Sequence, residues 1–363
     1  MMSNHMPAIE LPGDPRRILI LKPSALGDIV HTLPILNLLR IRWPKAHIAW
    51  LVNPAFAGIL EGHPQLDEVI RFERHRFGHG WWHPGAAIDF FQFVYALRQK
   101  RFDLVIDLQG LFRSGWLARA TGAALRVGFA DARELGWIFY THRVDVHTWN
   151  QHALERYLNI AEALNCGRRP IVFEFPPAKA LDEPITGPYA VLLPGTNWET
   201  KKWPIESFAE LVRPLRERFG LLSVVAGAKD CVPLAARVRE LNPGEAIVDL
   251  AGKTTLPELI WLLSRAAVVI ANDSGPMHIA AALGRPLVTL YGPTDPIMTG
   301  PFERMDTVLK LDIVCSPCLS RRCSHRSCLR WIGAGAALAA VDSQLGGSSP
   351  SLAGPLAGRS SSS

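Results

Sequence analysis

Four short stretches combine residue types that can do chemistry. The first, Lys22-Pro23-Ser24-Ala25-Leu26-Gly27-Asp28, follows an apolar run and sets one carboxylate just ahead of the helical stretch Ile29–Leu39. It has one Gly where a dinucleotide fingerprint has three, and it lacks the Gly-Lys-Ser/Thr ending of a phosphate loop. Taken alone, Asp28 reads as an N-cap that satisfies free backbone N–H groups. The second, Pro194–Pro204, is a polar loop between a strand and a helix. There Thr196 and Asn197 can donate hydrogen bonds to phosphate oxygens, and Lys201 or Lys202 can supply compact positive charge. A solvated basic loop is the competing reading.

The third stretch ends a buried strand in Asn272-Asp273-Ser274-Gly275, and a small-residue helix carrying His278 begins at once. The free N–H groups and positive dipole end of that helix suit a pyrophosphate, and Gly275 permits close approach. Separately, Asp273 could be a cap and His278 a packed core histidine; their clustering at one helix start favours a ligand site. The fourth, Leu287–Pro296, opens a strand into a Gly/Pro turn and gains interest only from its neighbour. A further cluster, Cys315-x2-Cys318-x4-Cys323-x4-Cys328 with His325 inside it, has spacing that could hold structural zinc or an iron-sulfur centre. Free thiols or a labile disulfide would give the same pattern.

The elements that must position these residues alternate regularly. Arg17–Leu21, His47–Val52, Val69–Phe72 and Leu104–Asp107 read as strands, and Arg71–Gly85, dense in Arg, His and Trp, as a loop. Five prolines between Cys166 and Pro188 suit an extended connection. After it the alternation restarts, with strands at Tyr189–Leu193, Leu221–Ala226, Ala246–Asp249, Ala267–Ala271 and Leu287–Tyr291. The expected fold is therefore α/β, two doubly wound halves each with a parallel sheet covered on both faces. The expected divisions are 15–170, a linker 171–188, 189–343, and a disordered Gly/Ser/Pro/Ala tail 344–363. Ligands in such sheets bind at the carboxyl ends of strands, where all four stretches lie.

Bulk properties narrow the partners. The chain has 363 residues, 48% hydrophobic and 20% charged, with a formal charge of +6. Its longest apolar runs fall far short of the roughly 20 residues that span a bilayer, and its first residues do not read as a secretory signal. A cytoplasmic protein with reduced thiols is expected. The basic balance favours acidic partners, but no nucleic-acid reading motif is evident, so nucleic acid is not expected.

With these residues laid out, the chain from Arg17 to Arg330 resembles the ADP-heptose:lipopolysaccharide heptosyltransferases, inverting glycosyltransferases of the GT-B arrangement. The resemblance rests on Lys22–Pro34, Pro194–Pro204 and Asn272–Pro296 in that order and spacing. It implies two Rossmann-like domains facing a cleft, with Asp28 as general base on the acceptor hydroxyl. It places Thr196, Asn197 and Lys201 at the donor phosphates, Asp273, Ser274, Gly275 and His278 along the nucleotide-sugar site, and Asp230 near the nucleoside. The donor would be an ADP-sugar, with no cofactor or obligatory metal. The acceptor would be a phosphorylated glycolipid at the cytoplasmic face of the inner membrane, with peripheral membrane contact. Basic residues of the first half (Arg71, Arg74, Arg76, Arg98, Lys100, Arg101, Arg113, Arg119) could meet its phosphates, Arg113 foremost because it follows the strand end Asp107–Gly110. A nucleotide-sugar epimerase of similar fold and a silent nucleotide-sugar binding protein are the alternatives. The four cysteines and the chain beyond Arg330 depart from the family pattern, and a closing helix across both domains is in doubt.

Overall fold

The computed structural model describes residues 8–73, 84–146 and 151–346. The first half runs β1 (Arg17–Leu21), α1 (Leu26–Arg42), β2 (His47–Val52), β3 (Glu68–Arg71), α2 (Pro84–Gln99), β4 (Leu104–Asp107), α3 (Phe112–Ala120), β5 (Leu125–Phe129), β6 (His142–Val144) and α4 (Ala153–Ala163). The second runs β7 (Tyr189–Leu193), α5 (Ile205–Phe219), β8 (Leu222–Gly227), α6 (Val232–Glu240), β9 (Ile247–Ala251), α7 (Leu256–Arg265), β10 (Val268–Asn272), α8 (Gly275–Ala282), β11 (Leu287–Tyr291), α9 (Pro296–Thr299), β12 (Val308–Lys310), α10 (Ser327–Arg330) and α11 (Ala334–Gly346).

Both sheets are parallel and six-stranded, ordered β3-β2-β1-β4-β5-β6 and β12-β11-β10-β7-β8-β9. Counted from its own first strand, each has the same doubly wound order, which reverses between its first and fourth strands. The central strands are apolar and buried along their whole length because helices cover both faces: Ile18, Leu19 and Ile20 of β1 and Val268, Val269 and Ile270 of β10 are inaccessible to solvent.

Three strands escape the periodicity argument. β6 and β12 have three residues each at sheet edges, and β5 carries Arg126 and Gly128. Gly128 is required because a Cβ there would run into the Tyr140 ring. The helix α1 starts at Leu26, earlier than its apolar period suggests. The expected loop Arg71–Gly85 is shorter than predicted, since α2 already begins at Pro84; its residues 74–83, with Arg74 and Arg76, lie outside the described residues. The last helix, α11, packs on α5, β10 and β11 and so covers the second sheet. It continues to Gly346, past the point where composition predicts no order, and the chain after it lies outside the described residues.

The halves meet through α1 against α8 and through α7 against the short 3-10 turn Pro54–Ile59. One buried apolar cluster runs from β1 and α1 through Leu193 to Met277 and Ile279.

Candidate functional site

Each sheet presents its chemistry where its strand order reverses. At the β1/β4 junction Lys22, the residue after β1, donates from Nζ to the carbonyl of Leu108, just past β4, at 3.2 Å. The same ammonium lies 3.4 Å from Asp28 Oδ2 and 5.1 Å from the Tyr157 ring centroid on α4. Lys22 is buried. Burial opposes its charge, but attraction from Asp28 and then Tyr157 outweighs it and holds the pKa above the usual lysine value. Asp28 sits in the first turn of α1, where its Oδ2 accepts from Ala25 N at 3.3 Å. The N-cap is therefore Ala25, not Asp28. Because the Asp28 side chain is 41% exposed, the carboxylate that steadies the helix start keeps an open side.

At the β7/β10 junction the fully buried Asn272 ties two loops together: Oδ1 accepts from Trp203 N at 3.1 Å and Nδ2 donates to Pro194 O at 2.7 Å. Asp273, also buried, accepts on Oδ2 from Lys201 Nζ at 2.7 Å and from Thr294 Oγ1 at 2.6 Å. Thr196 Oγ1 donates to the Asp273 carbonyl at 2.9 Å. Sequence spacing expects Thr196, Lys201 and Asp273 in one site, and the fold brings them together. At the start of α8, Ser274 Oγ and His278 Nδ1 are buried with no hydrogen-bond partner among the described residues. Two orphaned polar atoms beside free helix N–H groups suit a polar ligand. Asn197 is exposed on the neighbouring loop. Asp230 is exposed on the turn after β8, which is held to the Thr196 loop by the Cys231 thiol filling the space above Gly195 and Gly227.

The two junctions face each other. A Cβ on Gly27 would lie 2.5 Å from His278 Cδ2, and one on Gly275 would lie 2.7 Å from Leu26 Cβ. The Asp28 turn thus rests on the start of α8. Three imidazoles line this contact: His31 lies 4.4 Å from His278 and 4.8 Å from His152, centroid to centroid. His152 accepts on Nδ1 from Leu154 N at 3.1 Å, so its Nε2 carries the proton donated to Gly300 O of the other half at 3.0 Å. Burial pushes all three imidazole pKa values down, His278 to about 4, with repulsion between the rings adding to it at His31 and His278.

Arg113 is exposed in the first turn of α3. The turn before it is fixed by the inaccessible carboxylate of Asp107, which accepts from Tyr140 Oη at 2.7 Å, Gln109 N at 2.9 Å and Gly110 N at 3.2 Å. Arg71 is occupied by Glu61 at 2.6 Å and Lys100 by Glu68.

The four C-terminal cysteines are free; Cys315 and Cys318 are exposed and Cys328 is buried. Among the described residues no group of three or more His, Cys, Asp or Glu side chains is arranged to hold a metal ion; burial and then the nearby Cys315, Cys318 and Cys323 thiols push the Cys328 thiol pKa up. Their loop instead buttresses the second junction: Ser316 Oγ donates to Gly292 O at 2.6 Å, Thr200 Oγ1 donates to Ser320 O at 2.8 Å, and Arg326 pairs with Glu199 at 2.9 Å.

Several site residues are not singled out by sequence reasoning. Lys22 had a usable signal, a lysine that directly ends a buried strand. Thr294 lies in the fourth stretch but has no role until Asp273 is placed beside it. His152 and Tyr157 come from α4, far along the chain, and only the fold delivers them.

Comparisons agree with this architecture. The family model described as "Glycosyltransferase family 9 (heptosyltransferase)" matches residues 90–328. Lipopolysaccharide heptosyltransferase 1 of Pseudomonas aeruginosa is 33% identical over 321 residues, covering 85% of this chain and 88% of that protein. The solved structure of E. coli heptosyltransferase WaaC with ADP-2-deoxy-2-fluoro heptose superposes with a TM-score of 0.73 at 29% identity, covering 90% of this chain and 99% of that one. A UDP-N-acetylglucosamine 2-epimerase from Listeria monocytogenes, described as putative, is 12% identical at a TM-score of 0.50 and shares only the fold. With two GT-B halves and a family match over most of its length, this chain belongs to glycosyltransferase family 9, the heptosyltransferases.

Proposed function

We propose that this enzyme transfers a heptose from ADP-heptose to the core of a lipopolysaccharide precursor with inversion at the anomeric carbon. One observation carries the reading. The half-open carboxylate of Asp28 stands in a turn that lies directly against the start of α8, where Ser274 Oγ and His278 Nδ1 have no partner among the described residues. A general base and a nucleotide-sugar site therefore face each other across one cleft. Asp28 accepts the proton of the acceptor hydroxyl as that oxygen attacks the sugar, and the bond to the diphosphate breaks on the opposite face. Lys201, the hydroxyl of Thr196 and the N–H groups of α8 meet the charge that develops on the departing ADP. Asn197 and Asp230 border this donor site, with Asp230 on the nucleoside side. Lys22 orients the base without leaving its buried seat.

The acceptor is a phosphorylated glycolipid, and Arg113 is the exposed cation at the carboxyl edge of the first sheet best placed to meet its phosphate. Among the described residues no helix is long and apolar enough to cross a membrane; the enzyme reaches its lipid-borne substrate from the membrane surface.

The test is transfer of labelled sugar from ADP-heptose to a lipid A core acceptor by purified protein, beside Asp28→Ala with ADP binding followed by calorimetry. Transfer by the wild type and none by a folded, ADP-binding variant supports the reading. A wild type that binds ADP-heptose yet leaves all label in free sugar or still on the nucleotide would remove the transferase assignment in favour of a hydrolase, an epimerase or a silent binder.

A further inference from the structure

The helix α2 is apolar on both sides. Its inner face sends Phe90, Phe93, Val94 and Leu97 into the core behind β1 and β4. Its outer face, at the i, i+3, i+4, i+7 spacing of one helical stripe, consists of Ile88, Phe91, Gln92, Tyr95, Ala96 and Gln99 and carries no charge. Phe91 and Tyr95 are 67% and 66% exposed. The neighbouring elements continue the surface. α3 packs on α2 through the stacked Phe90 and Trp116 rings and exposes Phe112, and the turn 133–139 packed on α3 exposes Leu135 and Ile138. Large exposed apolar side chains on three elements packed one against the next call for a partner.

The charge around the patch identifies that partner. Arg98, Arg113, Arg119 and Arg133 stand on these three elements against only Asp89 and Glu134. The Arg98 guanidinium lies over Gly122, at the Arg119 end of α3. An isologous contact with a second copy would set this basic patch against itself, whereas an anionic bilayer satisfies both features, acyl chains taking the aromatic stripe and headgroups the arginines. The topology agrees. α2 closes at Gln99, just ahead of the start of β4 at Leu104, so its first turns lie towards the carboxyl ends of the strands, and α3 begins just beyond the carboxyl end of β4. The exposed side chains Ile88, Phe91 and Phe112 are therefore at the edge of the sheet that carries Lys22 and Asp28.

We propose that the outer face of α2, with Phe112 and the turn 133–139, is a membrane-docking surface that seats the first half on an anionic lipid surface and presents the Asp28 edge to lipid-borne acceptor. The lipid-borne nature of the acceptor rests on the function proposed above; the docking surface itself does not.

The experiment is cosedimentation of the full chain with vesicles of phosphatidylglycerol and phosphatidylethanolamine, and with phosphatidylcholine vesicles as a neutral control, no acceptor being present. The wild type is expected to partition onto the anionic vesicles and to be released by salt. The double variant Phe91→Ser/Tyr95→Ser is expected to lose about tenfold or more of that partition while its ADP affinity is unchanged. With acyl-free acceptor its turnover should match the wild type, and with acceptor embedded in vesicles it should fall. A wild type that stays in the supernatant, or a variant that binds vesicles as well as the wild type, overturns the proposal. So does a wild-type dimer in solution that the double variant dissociates, because the patch would then belong to a second copy. Absence of heptose transfer alongside normal vesicle binding would fault the proposed function and leave the docking surface standing.

Discussion

The Lys22 ammonium lies 3.4 Å from the Asp28 carboxylate, one side chain buried and the other 41% exposed. This asymmetry divides the work between them. A carboxylate proposed to accept a proton needs solvent and substrate on one side, and a fixed counter-charge on the other keeps it oriented. Among the described residues the ammonium's remaining contacts are the Leu108 carbonyl and the Tyr157 ring.

Substituting Asp28→Asn should lower kcat by about 10²–10⁴-fold and leave ADP affinity nearly unchanged, because the donor contacts come from the other half. It also strands a buried ammonium, at a cost of about 1–2 kcal/mol once the exposure of Asp28 is allowed for. Adding Lys22→Met should recover part of that stability and none of the activity. Urea denaturation of the two variants separates the effects; a double variant less stable than Asp28→Asn would mean that the pair is not coupled.

Lys201 binds Asp273 at 2.7 Å, and Thr294 holds the same oxygen. Lys201→Ala should weaken ADP binding by about 10–100-fold through the loss of one charge-assisted contact. It should also lower stability by about 1–3 kcal/mol, since Asp273 stays buried with fewer partners. Calorimetric titration with ADP measures the first effect. Unchanged affinity would take Lys201 out of the donor site and leave it a purely structural ion pair.

How much of this was legible beforehand depended on how far each signal reaches along the chain. Asn272-Asp273-Ser274-Gly275 declares itself because strand end, turn and helix start are contiguous, and both parallel sheets follow from apolar runs such as Tyr189–Leu193. The strand β5 was hidden because the residue that marks it, Gly128, is set by Tyr140 and not by strand propensity. The imidazole of His152 acquires its meaning only from Gly300, which no local pattern connects to it. The cysteine spacing gave the opposite lesson. Regular intervals between thiols say which chain positions recur, whereas what the cluster does depends on how the side chains are set in the fold, and here Cys315 and Cys318 face solvent while Cys328 is buried beside them.

The contact between halves is set by two glycines, Gly27 in the Asp28 turn and Gly275 at the start of α8. Gly275→Ala would place a methyl 2.7 Å from Leu26 Cβ, backbone-anchored atoms that cannot step aside. The halves must separate or α8 must shift, at about 1–3 kcal/mol, and kcat should fall because Asp28 moves away from the donor. Gly335→Ala, in α11 with open space around it, is the control and should be neutral or stabilising by about 0.5–1 kcal/mol. Equal activity of the two variants would show that the observed contact is not the one that catalysis requires.

Acid should open the same contact. His31, His152 and His278 all have pKa values lowered in the folded protein, so the unfolded chain binds protons first as the pH drops. Stability is then full above about pH 6.5, the unfolded histidine value, and declines towards the folded values, which for His278 is about 4. The groups facing the cluster do not remove this sign. Asp28 and Asp273 favour the protonated His278 and Glu155 the protonated His152, whereas Lys22 opposes protonation of His31 and Lys201 that of His278, and burial outweighs them all. Carboxylates held low, such as Glu258 paired with Lys179 at about 2, lose their contribution only below about pH 4.5. Between about pH 4.5 and 6.5 the histidines pull stability down as the pH falls, each by at most about 1.4 kcal/mol per pH unit, against the buried Asp107, whose carboxyl burial pushes up and which works the other way. In that interval Tm should fall with pH, and His31→Asn should flatten the fall. A Tm constant from pH 7.5 to 5, or a slope untouched by the substitution, would show that these imidazoles are already charged or exposed in solution and that the closed contact does not depend on their neutrality.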